Sequence, residues 1–246
     1  MNGQRLLNTK EAAKFLAVSE ASVRRWADAG ILPCRRIGGR RERRFTKDDL
    51  LFVLKKEKRP ATASSMRQNF ILIEGVEVPL GTHLCNLYSS DEGGTRLAIP
   101  FLKDGLESDQ PCFVLATHED QQGFLRALEK MGTDVKDALR RKQLIVSSGF
   151  SGAAQVLAYF EKAFAEALQS RPGYIRVVGD MTWGLRSMSS VEELMDFEMR
   201  LDLFGRRFPV VTICQYDVRQ FNGSALLQVL KFHPDIFNFH LGKLLN

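Results

Sequence analysis

The sequence predicts an α/β protein in two parts: a small three-helix domain carrying a β-hairpin, followed by a larger domain built on a parallel sheet. Two observations predict this division. The first 60 residues hold three capped helical segments and an arginine-rich run, whereas residues beyond 78 alternate apolar strands with helices. Between them lies the polar stretch KKEKRPATASSMRQN, which is typical of a linker.

Charge is unevenly distributed along the 246 residues. Residues 1–60 carry 16 basic and 7 acidic side chains, a balance of +9, and the remainder carries 35 − 16 = 19 basic and 29 − 7 = 22 acidic, a balance of −3. A basic N-terminal segment followed by a mildly acidic remainder is typical of a nucleic-acid-binding domain joined to another domain. We therefore expect a DNA-binding domain at residues 1–58, a linker at 59–70 and a second domain at 71–246.

The first domain begins with two short helices. Asn8 is a candidate N-cap with Glu11 three residues later, the spacing of a capping box. The second helix begins after Ser19 and is expected to stop at Gly30. Two short helices joined by a tight turn predict a helix-turn-helix. A third helix is expected to begin after Thr46, which is its candidate N-cap.

The run CRRIGGRRERRF lies between the second and third helices and holds six arginines. Its Gly38-Gly39 pair separates two segments that can form strands, which predicts a β-hairpin, or wing. A solvated basic segment is the weaker alternative, because a tail has no reason to lie between two capped helices.

These residues together resemble the MerR-type and excisionase-like winged helix-turn-helix family. The resemblance rests on NTKEAAKFLAVSEASVRRWADAGILP and RRIGGRRERRFTKDDL, within residues 6–56. It implies that the second helix enters the major groove of double-stranded DNA and that the wing grips the flanking backbone.

Helical spacing assigns faces to the second helix. Val23, Trp26, Ala27 and Gly30 follow i, i+3, i+4, i+7 spacing and should pack inward. The side chains expected to contact DNA are those on other faces and in the wing: Ser19, Ser22, Arg24, Arg25, Arg40, Arg41, Arg43 and Arg44. Within the wing, Arg41 and Arg43 are the expected phosphate contacts.

The second domain contains five strand–helix pairs, which predicts a parallel sheet with helices on both faces. The expected strands span residues 83–89, 111–117, 143–148, 173–180 and 209–217. Each is followed by an expected helix, at 95–109, 120–132, 153–168, 190–205 and 223–232. Function in such sheets concentrates in the crevice beyond the carboxyl ends of the strands.

The loop SSDEGGTRLA after the first strand occupies the position of a phosphate-binding loop. Thr95 could stand for a magnesium ligand, and Asp180 for a second one. However, Gly94 takes the place of the required lysine, and Asp91 and Glu92 would repel phosphate. The domain thus resembles the RecA/KaiC-like fold with a degenerate P-loop, and we expect neither an enzyme nor a bound cofactor.

A second resemblance narrows the function. GTHLCNLYSSDE, GDMTW and CQYD, in this order within residues 79–240, are similar to the MEDS domain, a sensory module of bacterial signalling proteins. This resemblance implies sensing of a small molecule such as a simple hydrocarbon derivative.

The expected ligand-binding residues are His83, Cys85, His118, Asp180, Trp183, Gln215 and Tyr216. His83 and Cys85 share one face of a strand and could donate to a metal, but an ordinary interior pair is the favoured alternative, so no metal is expected. Trp183 and Tyr216 could form an apolar wall for a ligand, or could simply close the end of the sheet.

The sequence therefore predicts a cytoplasmic, DNA-binding transcription regulator that senses a small molecule and forms a homodimer through its second domain. No apolar run approaches the ~20 residues of a membrane helix, so no membrane partner is expected. One alternative is a second domain that is a ligand-free interaction module. Another, from the enzyme class, is a DNA-tethered ATPase, against which the missing lysine argues.

Overall fold

The computed structural model describes residues 6–16, 18–28, 32–39, 42–55, 70–148, 150–188 and 190–233. The chain divides into two compact units, residues 1–63 and 64–246. The predicted linker, apart from its last residue, lies outside the described residues, so its boundaries stay predictions.

Three helices form the frame of the first unit: α1 (Thr9–Leu16), α2 (Glu20–Asp28) and α3 (Lys47–Lys55). A capping box opens α1, in which the Asn8 and Glu11 side chains each accept the other's backbone N–H at 2.9 Å. Thr46 and Asp49 make the same reciprocal pair at the start of α3, at 3.1 and 2.8 Å. The helix starts predicted at Asn8 and Thr46 are confirmed.

The predicted wing is a β-hairpin of two strands, β1 (Arg35–Ile37) and β2 (Glu42–Arg44). The strands pair antiparallel, with Arg36 opposite Arg43. Gly38 begins the turn with a φ of 76°, which glycine adopts at little cost. Leu7 and Phe45 exchange backbone hydrogen bonds of 2.8 and 2.9 Å, which fasten the base of the hairpin to the segment before α1.

A small apolar core joins the three helices and the hairpin. Val23 and Trp26 are fully buried in it, as their spacing predicted, whereas Ala27 is half-buried. Gly30, the predicted helix stop, lies outside the described residues. The other fully buried large side chains of this core are Leu32, Phe45 and Leu50.

The second unit opens with an antiparallel hairpin that the sequence analysis did not predict, β3 (Phe70–Ile73) and β4 (Val76–Pro79). The five predicted strands then follow: β5 (His83–Tyr88), β6 (Cys112–Leu115), β7 (Leu144–Ser147), β8 (Ile175–Asp180) and β9 (Val210–Asp217). They form one wholly parallel sheet in the order β5-β9-β8-β6-β7, which confirms the predicted α/β architecture.

The helices of this unit are α4 (Asp91–Glu107), α5 (His118–Lys130), α6 (Val135–Arg140), α7 (Ala153–Ser170), α8 (Thr182–Ser187), α9 (Val191–Gly205) and α10 (Gly223–Phe232). Helix α4 begins before the predicted Thr95, because the Ser90 hydroxyl accepts the Gly93 N–H at 3.1 Å and caps the helix there. Helices α6 and α8 were not predicted. Among the described helices, none is both long and apolar enough to cross a membrane.

Helices cover both faces of the sheet, and strand β9 shows which helix covers which face. Gln215 donates to the Gly94 carbonyl of α4 at 2.7 Å, whereas the next residue, Tyr216, donates its hydroxyl proton to Glu198 of α9. Because successive strand residues point to opposite faces, α4 lies on one face and α9 on the other. Helices α7 and α10 contact α9, and α5 contacts α4.

Candidate DNA interface and ligand crevice

The first turn of α2 holds a small network of polar side chains. The Ser19 hydroxyl accepts the Ser22 backbone N–H at 3.1 Å, and the two hydroxyl oxygens lie 3.0 Å apart. Arg25 donates from Nη2 to the Ser22 hydroxyl at 3.2 Å. Ser22 is only 1% exposed, so the expectation that it contacts DNA itself was wrong. Its hydroxyl instead helps to position Arg25.

Arg24 is the exposed arginine of α2. Its Nη2 lies 3.6 Å from Glu20 Oε2, in an ion pair whose side chains are both about half exposed. Such surface pairs contribute little, at most about 1 kcal/mol, and can be exchanged for a phosphate contact at small cost. Arg24 and the half-buried Arg25 therefore both stay available for DNA.

The wing is tied to the end of α2 by two arginines on one carboxylate. Arg43 Nη2 donates to both oxygens of Asp28 at 2.7 Å, and Arg36 Nη2 donates to Asp28 Oδ1 at 2.6 Å. The hydrogen bond from Arg43, and the charges of both arginines, hold the pKa of Asp28 below its usual range. A carboxylate at a helix C-terminus opposes the helix dipole, and the two guanidinium groups offset that cost.

The other wing arginines differ in their hydrogen-bond partners and in their exposure. Arg44 donates to Glu42 Oε2 at 2.7 Å and to the Arg43 carbonyl at 3.2 Å. Arg40 and Arg41 lie outside the described residues. Arg35, which the sequence analysis did not select, is exposed on β1 opposite Arg44. The strand register that places Arg35 there could not be obtained from composition alone.

In the second unit, a crevice of about 450 Å³ lies at the carboxyl ends of β5, β8 and β9. Asp180 and Gln215 line it, as the strand-end argument predicted. Tyr88, Asp120 and Arg186 also line it. The volume lies within the range of small-molecule sites, and the lining is polar.

Asp180 is a buried carboxyl group of this crevice. Its Oδ1 accepts the Thr182 backbone N–H at 2.9 Å. Burial raises the pKa of Asp180 to about 6, against the opposing effect of the Thr182 hydrogen bond and with a further contribution from the neighbouring Asp120 carboxylate. The crevice thus contains a carboxyl group that changes charge near neutral pH.

The loop in the P-loop position carries acidic side chains and packs closely against the end of β5. Arg219 Nη2 donates to Asp91 and Asp217 at 2.7 Å each, which fastens the start of α4 to the end of β9. Thr95 donates its hydroxyl proton to the Glu92 carbonyl at 3.0 Å. A Cβ on Gly94 would approach the Tyr88 ring at 3.0 Å, so this glycine permits close packing against β5. The loop therefore lacks the features of a phosphate cradle.

Two predicted ligand residues lie away from the crevice. Trp183 is 3% exposed and packs edge-to-face against Phe150 and Phe197, with ring centroids 6.3 and 6.0 Å away. It is a core residue, so the expectation that it walls the ligand was wrong. His118 is exposed at the first residue of α5 and does not line the crevice.

A separate buried cluster forms on the sheet face that carries α9 and α10. His83 Nε2 lies 3.0 Å from Cys214 Sγ, 3.0 Å from Glu198 Oε2 and 3.3 Å from His233 Nε2. His233 Nε2 lies 3.3 Å from the same Glu198 oxygen, and the Tyr216 hydroxyl donates to Glu198 Oε1. All five side chains are buried.

This cluster corrects three further expectations. His83, Cys85 and Tyr216 were predicted to contact a ligand in the crevice, but they point to the opposite face of the sheet. Cys85 is buried opposite Cys214 in the strand register. Sequence reasoning missed Glu198 and His233, because a strand pattern carries no information about which helical residues pack on it.

The winged helix-turn-helix and the crevice-bearing α/β unit together define a DNA-binding transcription regulator with a sensory domain. Residues 6–57 match the model of a helix-turn-helix domain family. Residues 82–234 match the MEDS family, described as a "MEthanogen/methylotroph, DcmR Sensory domain". The chain belongs to the MEDS family, which confirms the predicted resemblance.

A curated relative supports the same class. The chain is 34% identical over 247 aligned residues to the "Transcriptional repressor DcmR" of Methylorubrum extorquens. The alignment covers 97% of this chain and 93% of the relative, so the similarity includes both units. The finer MerR-type assignment of the first unit stays a prediction.

Proposed function

We propose that this protein is a transcriptional repressor, and not an enzyme, whose second unit binds a small molecule and pairs with a second copy of the chain. The observation that carries the proposal is the joining of a helix-turn-helix unit to a unit with a ligand-sized crevice at the carboxyl ends of its strands. The name of the curated relative supports repression rather than activation. The proposal includes a cytoplasmic location, because a repressor acts where the DNA lies.

The lining of the crevice favours a polar effector. Its charged residues are Asp91, Glu119, Asp120, Asp180, Asp217, Arg126, Arg186 and Arg219. An unsubstituted hydrocarbon would displace water from these charged groups without forming hydrogen bonds to them, which costs free energy. A small hydrocarbon derivative with a hydroxyl or amino group fits better, because the group can donate to Asp180 or Asp120.

For DNA, we propose that α2 enters the major groove with Ser19, Arg24 and Arg25 towards it. Arginine suits this position because its fork can bind guanine or clamp a phosphate. The wing arginines then contact the flanking backbone. Arg43 and Arg36 are positioned by Asp28, so they act partly by holding the wing in place.

Pairing of two chains through the second unit gives the regulator two DNA-binding units. DNA-binding proteins of this size commonly pair in this way to recognise a longer DNA site. An effector can change DNA affinity only through its differential affinity for two states of the protein. We propose that the effector changes the geometry of the dimer, and with it the spacing of the two wings.

The test is selection of bound duplexes from a random DNA library, followed by affinity measurements with and without panels of small alcohols, amines and halogenated hydrocarbons. The proposal expects an enriched palindromic sequence and a loss of affinity with at least one polar compound. Failure to enrich any sequence would contradict it. Velocity sedimentation of the full chain at micromolar concentration would contradict the dimer if it showed only monomer.

A further inference from the structure

Four potential metal ligands converge in the buried cluster of the second unit. They come from four elements: His83 from β5, Glu198 from α9, Cys214 from β9 and His233 from the end of α10. Their donor atoms all lie within 4.8 Å of one another, and all four residues are buried. This cluster lies on the sheet face opposite the crevice, so it does not belong to the proposed effector site.

The spacing of the donor atoms matches a tetrahedral coordination shell. Ligands bound to zinc at about 2.0–2.3 Å lie roughly 3.3–3.7 Å from one another. Four of the six separations among His83 Nε2, His233 Nε2, Glu198 Oε2 and Cys214 Sγ are 3.0, 3.0, 3.3 and 3.3 Å, and the other two are within 4.8 Å. Small movements of these side chains would bring all four to bonding distance from one central ion.

The hydrogen bonds leave lone pairs facing one another. His233 Nδ1 lies 2.9 Å from the Val229 carbonyl, which can only accept, so Nδ1 carries the proton. When this ring is neutral, its Nε2 presents a lone pair towards Glu198 and His83. A cation in the centre satisfies these lone pairs together, which a single shared proton cannot do.

Electrostatics favours the same conclusion. A dication bound by the Glu198 carboxylate, the Cys214 thiolate and two neutral imidazoles has no net charge, which suits complete burial. Binding of the ion displaces the proton of the Cys214 thiol, since only the thiolate form of cysteine is a metal ligand.

The outer contacts resemble those that orient metal ligands in proteins. The Val229 carbonyl fixes the ring of His233, and the Tyr216 hydroxyl donates to the second oxygen of Glu198. Two ligands thus have their orientation set before any ion binds.

We propose that His83, Glu198, Cys214 and His233 form a closed, structural site for one divalent ion of the zinc type. The mixed nitrogen, sulfur and oxygen donors favour zinc over magnesium or calcium, which prefer oxygen ligands. Four protein ligands leave no open position for catalysis. The ion holds α9 and α10 to the sheet, a role distinct from effector sensing.

The experiment compares Cys214→Ser with Cys85→Ser in the full chain. Both cysteines are fully buried and lie opposite each other on neighbouring strands, so the two variants make the same substitution at the same degree of burial. Zinc content is measured by mass spectrometry, and Co²⁺ is then titrated into the chelator-treated protein. Wild type and Cys85→Ser should bind one ion and show a thiolate-to-cobalt absorption band. Cys214→Ser should lose the band and bind at least about 100-fold more weakly, beyond the usual effect of losing an outer contact.

Other results would overturn the proposal. They are a wild-type protein that takes up neither zinc nor Co²⁺, or a thiolate band that survives Cys214→Ser. If Cys214→Ser fails to fold, the wild-type titration and the Cys85→Ser band still decide the matter, because a cobalt-free wild type is sufficient to reject the site. DNA binding is not needed for any of these measurements, so failure of the metal site is separable from failure of the regulatory proposal.

Discussion

Arg43 of the wing and Asp28 of α2 form an ion pair that joins the two elements of the first unit proposed to contact DNA. The Arg43 Nη2 atom lies 2.7 Å from both carboxylate oxygens, and Arg36 adds a third hydrogen bond of 2.6 Å. Because both arginines lie side by side in the hairpin register, the carboxylate holds both strands of the wing. The angle between α2 and the wing is therefore set before DNA binds, which lowers the cost of ordering on binding.

The first prediction concerns this pair. Asp28→Asn removes a negative charge and releases Arg36 and Arg43. We expect tighter binding to random DNA and a steeper dependence of log affinity on log salt, by about 0.9 for each released arginine that gains a phosphate. Discrimination between selected and random DNA should fall. Fluorescence anisotropy over a salt series measures both effects.

Glu20→Gln is the matched control, because it neutralises the same charge on the same helix but releases only the exposed Arg24. An Asp28→Asn protein whose salt dependence equals that of wild type would show that the wing arginines do not face the DNA backbone.

The second prediction separates the two arginines of α2. Arg25→Ala should cost about 1–3 kcal/mol on the selected site and much less on random DNA, because Ser22 positions this side chain for a base edge. Arg24→Ala should weaken both complexes equally, as a phosphate contact would. Competition binding with the two DNAs measures the difference. Equal losses of affinity for the two DNAs in Arg25→Ala would show that Arg25 contacts the DNA phosphate backbone rather than a base.

The third prediction concerns pH. Burial raises the pKa of Asp180 from 3.8 to about 6, so the folded protein binds this proton more tightly than the unfolded chain. The stabilisation is fully present below pH 3.8 and is lost as pH rises through about 6, a change of roughly 3 kcal/mol by linkage. Asp180→Asn should remove this loss, so its advantage over wild type should grow between pH 4 and pH 6.

Urea unfolding at a series of pH values measures this difference. Glu129→Gln, an exposed change on α5, serves as the control and should track wild type. Parallel curves for Asp180→Asn and wild type would mean that the Asp180 carboxyl has an ordinary pKa.

The fourth prediction concerns Trp183. Since its ring packs between Phe150 and Phe197, Trp183→Ala should destabilise the second unit by about 3–5 kcal/mol. His118→Ala, at an exposed position, should stay within about 0.5 kcal/mol of wild type. Chemical denaturation compares them. A stable Trp183→Ala protein that had lost only its effector response would show that Trp183 belongs to the ligand site.

Local features of the fold were predictable from the sequence, because their causes are local. Capping pairs such as Asn8 with Glu11 and Thr46 with Asp49 lie three residues apart, and continuous apolar runs marked all five strands. Strand order was not predictable, because it depends on which runs pack together. The β3–β4 hairpin was not predicted from the sequence.

The candidate sites were predicted only in part, for reasons visible at single residues. Asp180 and Gln215 line the crevice because both lie where parallel strands end. Trp183 follows the same strand end, but helix α8 turns its ring into the core. His83 was considered as a possible metal ligand from the sequence, but the neighbours that it meets in the fold, Glu198 and His233, come from distant helices.

Strand β9 is shared by the crevice and the buried cluster. Gln215 faces α4 beside the crevice, while Cys214 and Tyr216, its chain neighbours, face Glu198 on the other side. A strand in the middle of a hydrogen-bonded sheet moves as one piece, so a displacement of one of these residues displaces all three. Binding in the crevice and binding in the cluster would therefore be coupled through adjacent residues of one strand. By thermodynamic reciprocity, each occupant would change the other's affinity by the same factor.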